Sequence, residues 1–179
     1  MKMSMPANKP QTLGELAASC NASFGTSGVR GRVEDLSPQL CHAYTHAFLG
    51  IVAQNDKRLL IGHDLRPSSP AIATMCHAAA RQVGWETIHA GVLPTPALAF
   101  AAQEAGCPAI MVTGSHIPFD RNGIKFYHAR GEITKADEAS ILSTPLPSVP
   151  VAATKSAGHH PDDLRRLLRP VPEPQGHRL

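Results

Sequence analysis

Aromatic residues are scarce in this chain: one Trp and two Tyr among 179 residues. A surface that stacks nucleobases needs more of them. The net charge is only +3, and Lys and Arg are scattered until the Arg165–Arg169 cluster, so a nucleic-acid partner is not favoured. No apolar run approaches the length of a membrane span, which argues against a membrane partner. The opening residues hold Lys2 and Lys9 without a sustained apolar core, so no signal peptide is predicted. Cys20, Cys41, Cys76 and Cys107 stand far apart with no Cys-x-x-Cys pair. They read as free thiols in a reducing, cytoplasmic setting. No internal repeat with a period of about 20–50 residues is visible.

Residues 1–22 are expected to form an N-terminal tail, with at most one helical turn near Leu13–Ala18. From Phe24 to Val33 the chain is Gly-rich between short β-prone pieces. Ser37 can cap a helix with Pro38 in its first position, followed by Leu40, Tyr44, Ala47, Phe48 and Ile51 at helical spacing. Leu59–Gly62, Thr87–Ala90 and Ala109–Val112 are short apolar runs and predicted buried strands. Between them, Ser69-Pro70 and Thr95-Pro96 start two further helices. The β-α-β-α-β order implies an α/β fold, a three-layer αβα arrangement with a mixed, mainly parallel four-stranded sheet. A polar turn, Asp120-Arg121-Asn122-Gly123, leads into Ile124–Tyr127, the expected antiparallel fourth strand. A short helix, Thr134–Leu142 with Thr134 as cap, closes a domain spanning residues 23–144. Residues 145–179 are rich in proline and poor in periodicity, and disorder is expected there.

Ligands of such sheets bind outside the carboxyl ends of the strands. The loops at those ends are His63–Arg66, Gly91–Pro94 and Thr113–Pro118. The last is the most telling. The buried run into Thr113-Gly114-Ser115-His116 places a hydroxyl in a tight loop with an imidazole beside it, and such a hydroxyl serves as a nucleophile or phosphate carrier. Asp64 and Arg66 are expected to form a local ion pair that holds a loop. Ten histidines invite a metal reading. His42 and His46 have a two-ligand spacing on a helix. They fall opposite Leu40, Tyr44 and Ile51 with no third ligand nearby, so they are expected in solvent. His159-His160 is an equally weak pair.

The segment Met111–Tyr127, MVTGSHIPFDRNGIKFY, resembles the phosphoserine loop of the α-D-phosphohexomutases, the phosphomannomutase and phosphoglucomutase family. Phe24-Gly25-Thr26-Ser27-Gly28-Val29-Arg30-Gly31 is similar to the family's opening motif. Ile61–Arg66 and Gly91–Pro96 are similar to its first two strand-end loops. The resemblance implies the family's domain I alone, with domains II–IV absent from this chain. It also implies a phosphate carried on Ser115 and exchanged between O1 and O6 of a hexose. His116 then positions the phosphoserine or the sugar, or is a loop histidine without a role. Arg30 and Lys125 become candidates for phosphate contact and for acid/base work on sugar hydroxyls; taken alone, Lys125 reads as an ordinary edge-strand lysine. Mg²⁺ is implied through phosphorylated Ser115, with a hexose 1,6-bisphosphate as activator and a sugar phosphate as the small-molecule partner. The family usually has Asn where this chain has Ile117, which removes a polar contact without touching the nucleophile.

The family's aspartate-rich metal loop, its sugar-reading loop and its last phosphate loop do not occur in this sequence. The 179 residues are therefore expected to be inactive alone: a truncated or frameshifted product, a fragment, or a piece that works with another chain. Two other classes stay open. One is a non-catalytic module that binds a sugar phosphate or another anion. The other is a serine hydrolase using Ser115, for which the G-x-S-x-G signature is missing.

Overall fold

The computed structural model describes residues 11–52 and 57–146. Among these residues seven strands form one sheet: β1 (Ser23–Phe24), β2 (Gly28–Arg32), β3 (Arg58–His63), β4 (Glu86–Val92), β5 (Ala109–Val112), β6 (Arg121–His128) and β7 (Gly131–Glu132). Five helices among the described residues pack around them: α1 (Leu13–Ser19), α2 (Pro38–Ile51), α3 (Ser69–Gln82), α4 (Thr95–Ala105) and α5 (Lys135–Ser143). The strand order is β1-β2-β6-β5-β3-β4, with β7 added to β6. β3 pairs in parallel with both β4 and β5, while the ladders of β5, β2 and β7 with β6, and of β1 with β2, are antiparallel.

The class is the expected three-layer αβα, but the sheet has seven strands, not four. The additions all join through β6. Its first residues, Arg121 to Gly123, belong to the strand and not to a turn, pairing with Arg32, Gly31 and Arg30. The Asn-Gly pair hides this in the sequence, because such dipeptides usually mark turns. β6 is therefore interior, and Lys125 stands on a central strand, not at an edge. Gly28 is needed where β2 meets β6. A Cβ there would lie 2.1 Å from the Ile124 carbonyl oxygen.

Two cores flank the sheet. On one face Val29, Ile61, Ile110, Ile124 and Phe126 pack under α1, α2, α3 and α5. Phe126 sits 5.0 Å from Phe48 and 6.2 Å from Tyr44, ring centre to ring centre. On the other face Leu60, Ile88, Met111 and Tyr127 pack against Leu98, Ala101 and Ala102 of α4. Among the described residues only α4 packs on this second face, and none of them covers the β2–β6 ladder there. Alternation along the ladder puts Arg30 and Lys125 on that open face, opposite in direction to core-facing Val29, Ile124 and Phe126.

Residues 11–22 correct the expectation of a tail. Thr12 and Glu15 form a capping box, and Leu13 and Ala17 are buried. The Leu13 amide donates to the Thr144 carbonyl at 2.9 Å and the Leu146 amide to Gln11 at 2.9 Å. The folded unit thus runs at least from Gln11 to Leu146. The expected helical turn near Leu13–Ala18 is α1, which is too short to persist alone and is held in place by packing against α5. The proposed proline-rich tail, His159-His160 and the Arg165–Arg169 cluster lie outside the described residues.

His42 and His46 also correct an expectation. They are not solvated, because α3 covers their side of α2. His42 bonds the Gln82 side chain, and His46 Nε2 meets the Ala79 carbonyl at 3.1 Å. α2 is flanked by helices as well as by the sheet, so one apolar stripe underestimates what it buries. The cysteines are free thiols. Among the described residues no helix is long and apolar enough to cross a membrane.

Candidate active site

The Ser115 loop begins where β5 ends. β5 is buried at all its positions, and Thr113 extends its ladder by donating from its amide to the Gly123 carbonyl at 3.0 Å. The chain then leaves the sheet and turns over the end of β3. Asp64, just past β3, is the anchor. Its Oδ1 accepts from the Arg66 amide (3.0 Å) and the Ser69 hydroxyl (2.5 Å). Its Oδ2 accepts from the Thr113 hydroxyl (2.9 Å) and the Gly114 amide (3.0 Å). Burial works to raise this carboxyl's pKa, but these hydrogen bonds override it and hold it below its ordinary value.

Arg66 completes the floor. Its Nε lies 3.7 Å from Asp64 Oδ2, as the sequence reading expected of an ion pair. It does more than pair. Its terminal nitrogens donate to the carbonyls of Ser115, Ile117, Pro118 and Arg121 at 2.5–3.2 Å. The guanidinium lies against Gly114 so closely that a Cβ there would stand 2.2 Å from its Cζ. Asn122 braces the same floor from β6. It is fully buried, donates to the hydroxyls of Ser68 and Ser69, and accepts from the Gly123 amide. Asn122 is not among the residues the sequence singles out, because an Asn-Gly pair reads as a turn.

Ser115 itself is exposed and has a left-handed backbone, φ +50°. That conformation costs an L-residue about 1–2 kcal/mol. Its amide is held by the Thr113 hydroxyl at 2.9 Å, and its Oγ lies 3.1 Å from His116 Nδ1. Among the described residues no carboxylate bonds His116, so the Ser–His contact lacks the third member of a hydrolase triad.

The other two predicted site residues stand on the open face. Arg30 pairs in register with Gly123, which has no side chain to obstruct it. Its stem and the Thr113 carbonyl approach the same point above Gly123: a Cβ there would lie 3.2 Å from each. Its guanidinium packs on Gly25. This joins the opening motif to the root of the Ser115 loop. Lys125, diagonal to Arg30, is engaged by Glu132. The Nζ–Oε1 distance is 3.2 Å, and the Tyr127 hydroxyl donates to the same oxygen at 3.2 Å. Burial works to raise Glu132's pKa, and the Lys125 and Tyr127 contacts hold it below its ordinary value. No sequence signal marks Glu132, which lies in a two-residue strand.

The Gly91–Pro94 turn is set apart. β3 separates β4 from β5, and the turn is tied to β3, Leu93 donating from its amide to the His63 carbonyl at 3.2 Å. Asp64, Arg66, Arg30 and the Ser115 loop therefore form one joined assembly, with Lys125 beside it on the ladder. Among the described residues no cluster of three His, Cys, Asp or Glu could hold a metal ion. Ser115 is the one residue predicted as a metal ligand.

This assembly coincides with a known domain. Residues 21–145 match the family model for the phosphoglucomutase/phosphomannomutase alpha/beta/alpha domain I. The chain belongs to this family. A phosphomannomutase of Salmonella muenchen is 51% identical over 122 residues, covering 67% of this chain and 26% of the relative. A phosphoglucosamine mutase of Campylobacter fetus subsp. fetus is 38% identical over 112 residues, covering 60% of this chain and 25% of the relative. The crystal structure of a phosphoglucomutase/phosphomannomutase family protein from Burkholderia thailandensis superposes with a TM-score of 0.59 at 25% identity, covering 65% of this chain and 28% of that one. The chain thus spans about a quarter of the length of the curated relatives it matches.

Proposed function

We propose that this chain carries the phosphate-accepting part of a hexose-phosphate mutase site, of the phosphomannomutase/phosphoglucomutase type, with Ser115 as the phosphate carrier. The observation that carries the reading is Ser115 itself: an exposed hydroxyl in a left-handed turn, cradled by Asp64 and Arg66, in a chain of this family. In the transfer, the bond from phosphorus to a sugar oxygen breaks and one to Ser115 Oγ forms. The Oγ proton leaves, and His116 Nδ1 is within reach of it. The departing sugar oxygen takes up a proton, the task assigned to Lys125 or to Arg30 beside it. The reverse transfer, to the other end of the sugar, returns the serine.

Phosphoryl transfer needs positioning and charge neutralisation more than covalent help. Arg30 offers the fork that suits phosphate. Mg²⁺ fits the hard oxygen donors that a phosphate on Ser115 would present, and when bound it supplies further neutralisation. This chain offers it no other clustered ligand among the described residues. A polypeptide of these 179 residues is therefore expected to accept phosphate but not to complete mutase turnover. The working setting is the cytoplasm, where sugar phosphates are held.

The test is direct. The chain is incubated with glucose or mannose 1,6-bisphosphate and Mg²⁺, and phosphorylated peptides are mapped by mass spectrometry. Label on Ser115, absent from Ser115→Ala, is expected. Label on a different serine rejects the assignment. Saturable binding of the bisphosphate without any label would make the chain a non-catalytic sugar-phosphate module.

A further inference from the structure

We propose that Arg66 is a positioning residue for the phosphate on Ser115: it draws the carbonyls of the loop behind it, so that their negative ends face away from the phosphate. The inference rests on the reading of Ser115 as a phosphate carrier.

A buried guanidinium requires hydrogen-bond acceptors to offset its desolvation. The Arg66 side chain is 9% exposed, so its donors need acceptors within the protein. Asp64 supplies little of this. Both its oxygens are already engaged by Ser69, Thr113 and the amides of Arg66 and Gly114, and its nearest approach to Arg66 is 3.7 Å. The remaining donors go to the carbonyls of Ser115, Ile117, Pro118 and Arg121. A planar fork can gather four acceptors from the loop and the first residue of β6, and a lysine ammonium with three donors cannot.

Two consequences meet at Ser115. Its amide is pinned by the Thr113 hydroxyl and its carbonyl by Arg66 Nη2 at 3.2 Å. With both flanking peptides fixed, the left-handed backbone persists despite its strain, and the hydroxyl stays exposed. The charges beneath the loop are also balanced. Asp64 and Arg66 cancel, and the partial negative charges of four carbonyls are neutralised at their source. Remove Arg66, and a phosphate dianion faces the Asp64 carboxylate and freed carbonyls through a poorly screened interior. Gly114 is part of the device, since any side chain there would displace the guanidinium.

The test is a coupling between Arg66 and phosphate, read without turnover. Phosphoserine is installed at position 115 of the full chain during translation. Melting temperatures are compared with and without it in three backgrounds: wild type, Arg66→Met and Arg66→Lys. In wild type the phosphate should leave the melting temperature nearly unchanged or raise it. In both variants it should lower it by about 4 °C or more. Should Arg66→Met fail to fold, Arg66→Lys carries the comparison. Equal phosphate effects in all folded backgrounds would overturn the proposal. So would Arg66→Lys behaving as wild type, because charge alone would then account for the effect. Because the phosphate is placed during synthesis, a failure of Ser115 to accept phosphate from a hexose bisphosphate would reject the functional reading while leaving this coupling separately measured.

Discussion

Beneath Ser115, Asp64, Arg66, Ser69 and Asn122 bond one another and the loop backbone until few polar atoms are left to offer. Beside it, on the β2–β6 ladder, Arg30 packs on glycine, and none of the hydrogen bonds among the described residues involves its guanidinium. Lys125 is held by one half-exposed carboxylate. The floor is saturated and the wall is available. A saturated network stabilises a loop shape and has nothing left for a ligand. Cations with open donors stabilise little and are ready for an anion. The difference teaches which residues should fail in folding and which in chemistry.

The largest effect expected is on the floor. Gly114→Ala puts a Cβ 2.2 Å from the Arg66 guanidinium, and the arginine must leave a buried place with its bonds unmade. A loss of about 3 kcal/mol or more is expected by denaturant unfolding, since overpacking and unsatisfied polar groups add. Asp64→Ala should follow at about 2 kcal/mol, for it orphans several donors at once. Because this carboxyl's pKa is depressed in the fold, its contribution is fully present above about pH 4 and is lost as pH falls through the lower folded value. A wild-type melt that does not weaken below pH 4 more than that of Asp64→Ala would contradict the anchor role.

The wall should behave in the opposite way. Glu132→Gln removes a half-exposed ion pair, so it should change stability by less than about 1 kcal/mol. Its effect should fall on Lys125, measured as faster acylation of that amine by mass spectrometry. A large loss of stability with unchanged Lys125 labelling would put Glu132 with the floor.

The smallest effect lies far from both, between α2 and α3. Burial and the neighbouring His42 lower the pKa of His46. The fold therefore favours neutral His46. Stability is full above about pH 6.5 and declines as pH falls toward the depressed value. His46→Gln should flatten that slope, as read from melts between about pH 7 and pH 5.

These contrasts also explain what could be read from the sequence. The three parallel strands, their helices and the Ser115 loop were legible because apolar runs and Ser/Thr-Pro caps mark them locally. Ser115, Arg30 and Lys125 are singled out by motifs, and the structure brings them to one end and one face of the sheet. Asn122 was not legible, because a buried asparagine that starts a strand looks the same as a turn. Arg66 was legible as an ion pair but not as a gatherer of carbonyls, which only the folded loop brings together. α1 was legible only as a helical turn, β1 and β2 only as β-prone pieces and β7 not at all, because they are short and are held by pairing with distant residues such as Gly123, Thr144 and Tyr127.

The division between floor and wall is tested most directly by measuring two quantities on one variant, Arg30→Gln. These are the melting temperature and the rate at which Ser115 takes phosphate from a hexose 1,6-bisphosphate. The melting temperature should stay within about 2 °C of wild type, because the arginine contributes little to the fold. The rate should fall by about a hundredfold, the usual cost of removing one preorganised charge from a transferring phosphate. Phosphorylation at the wild-type rate, or a rate loss matched by unfolding, would contradict the account.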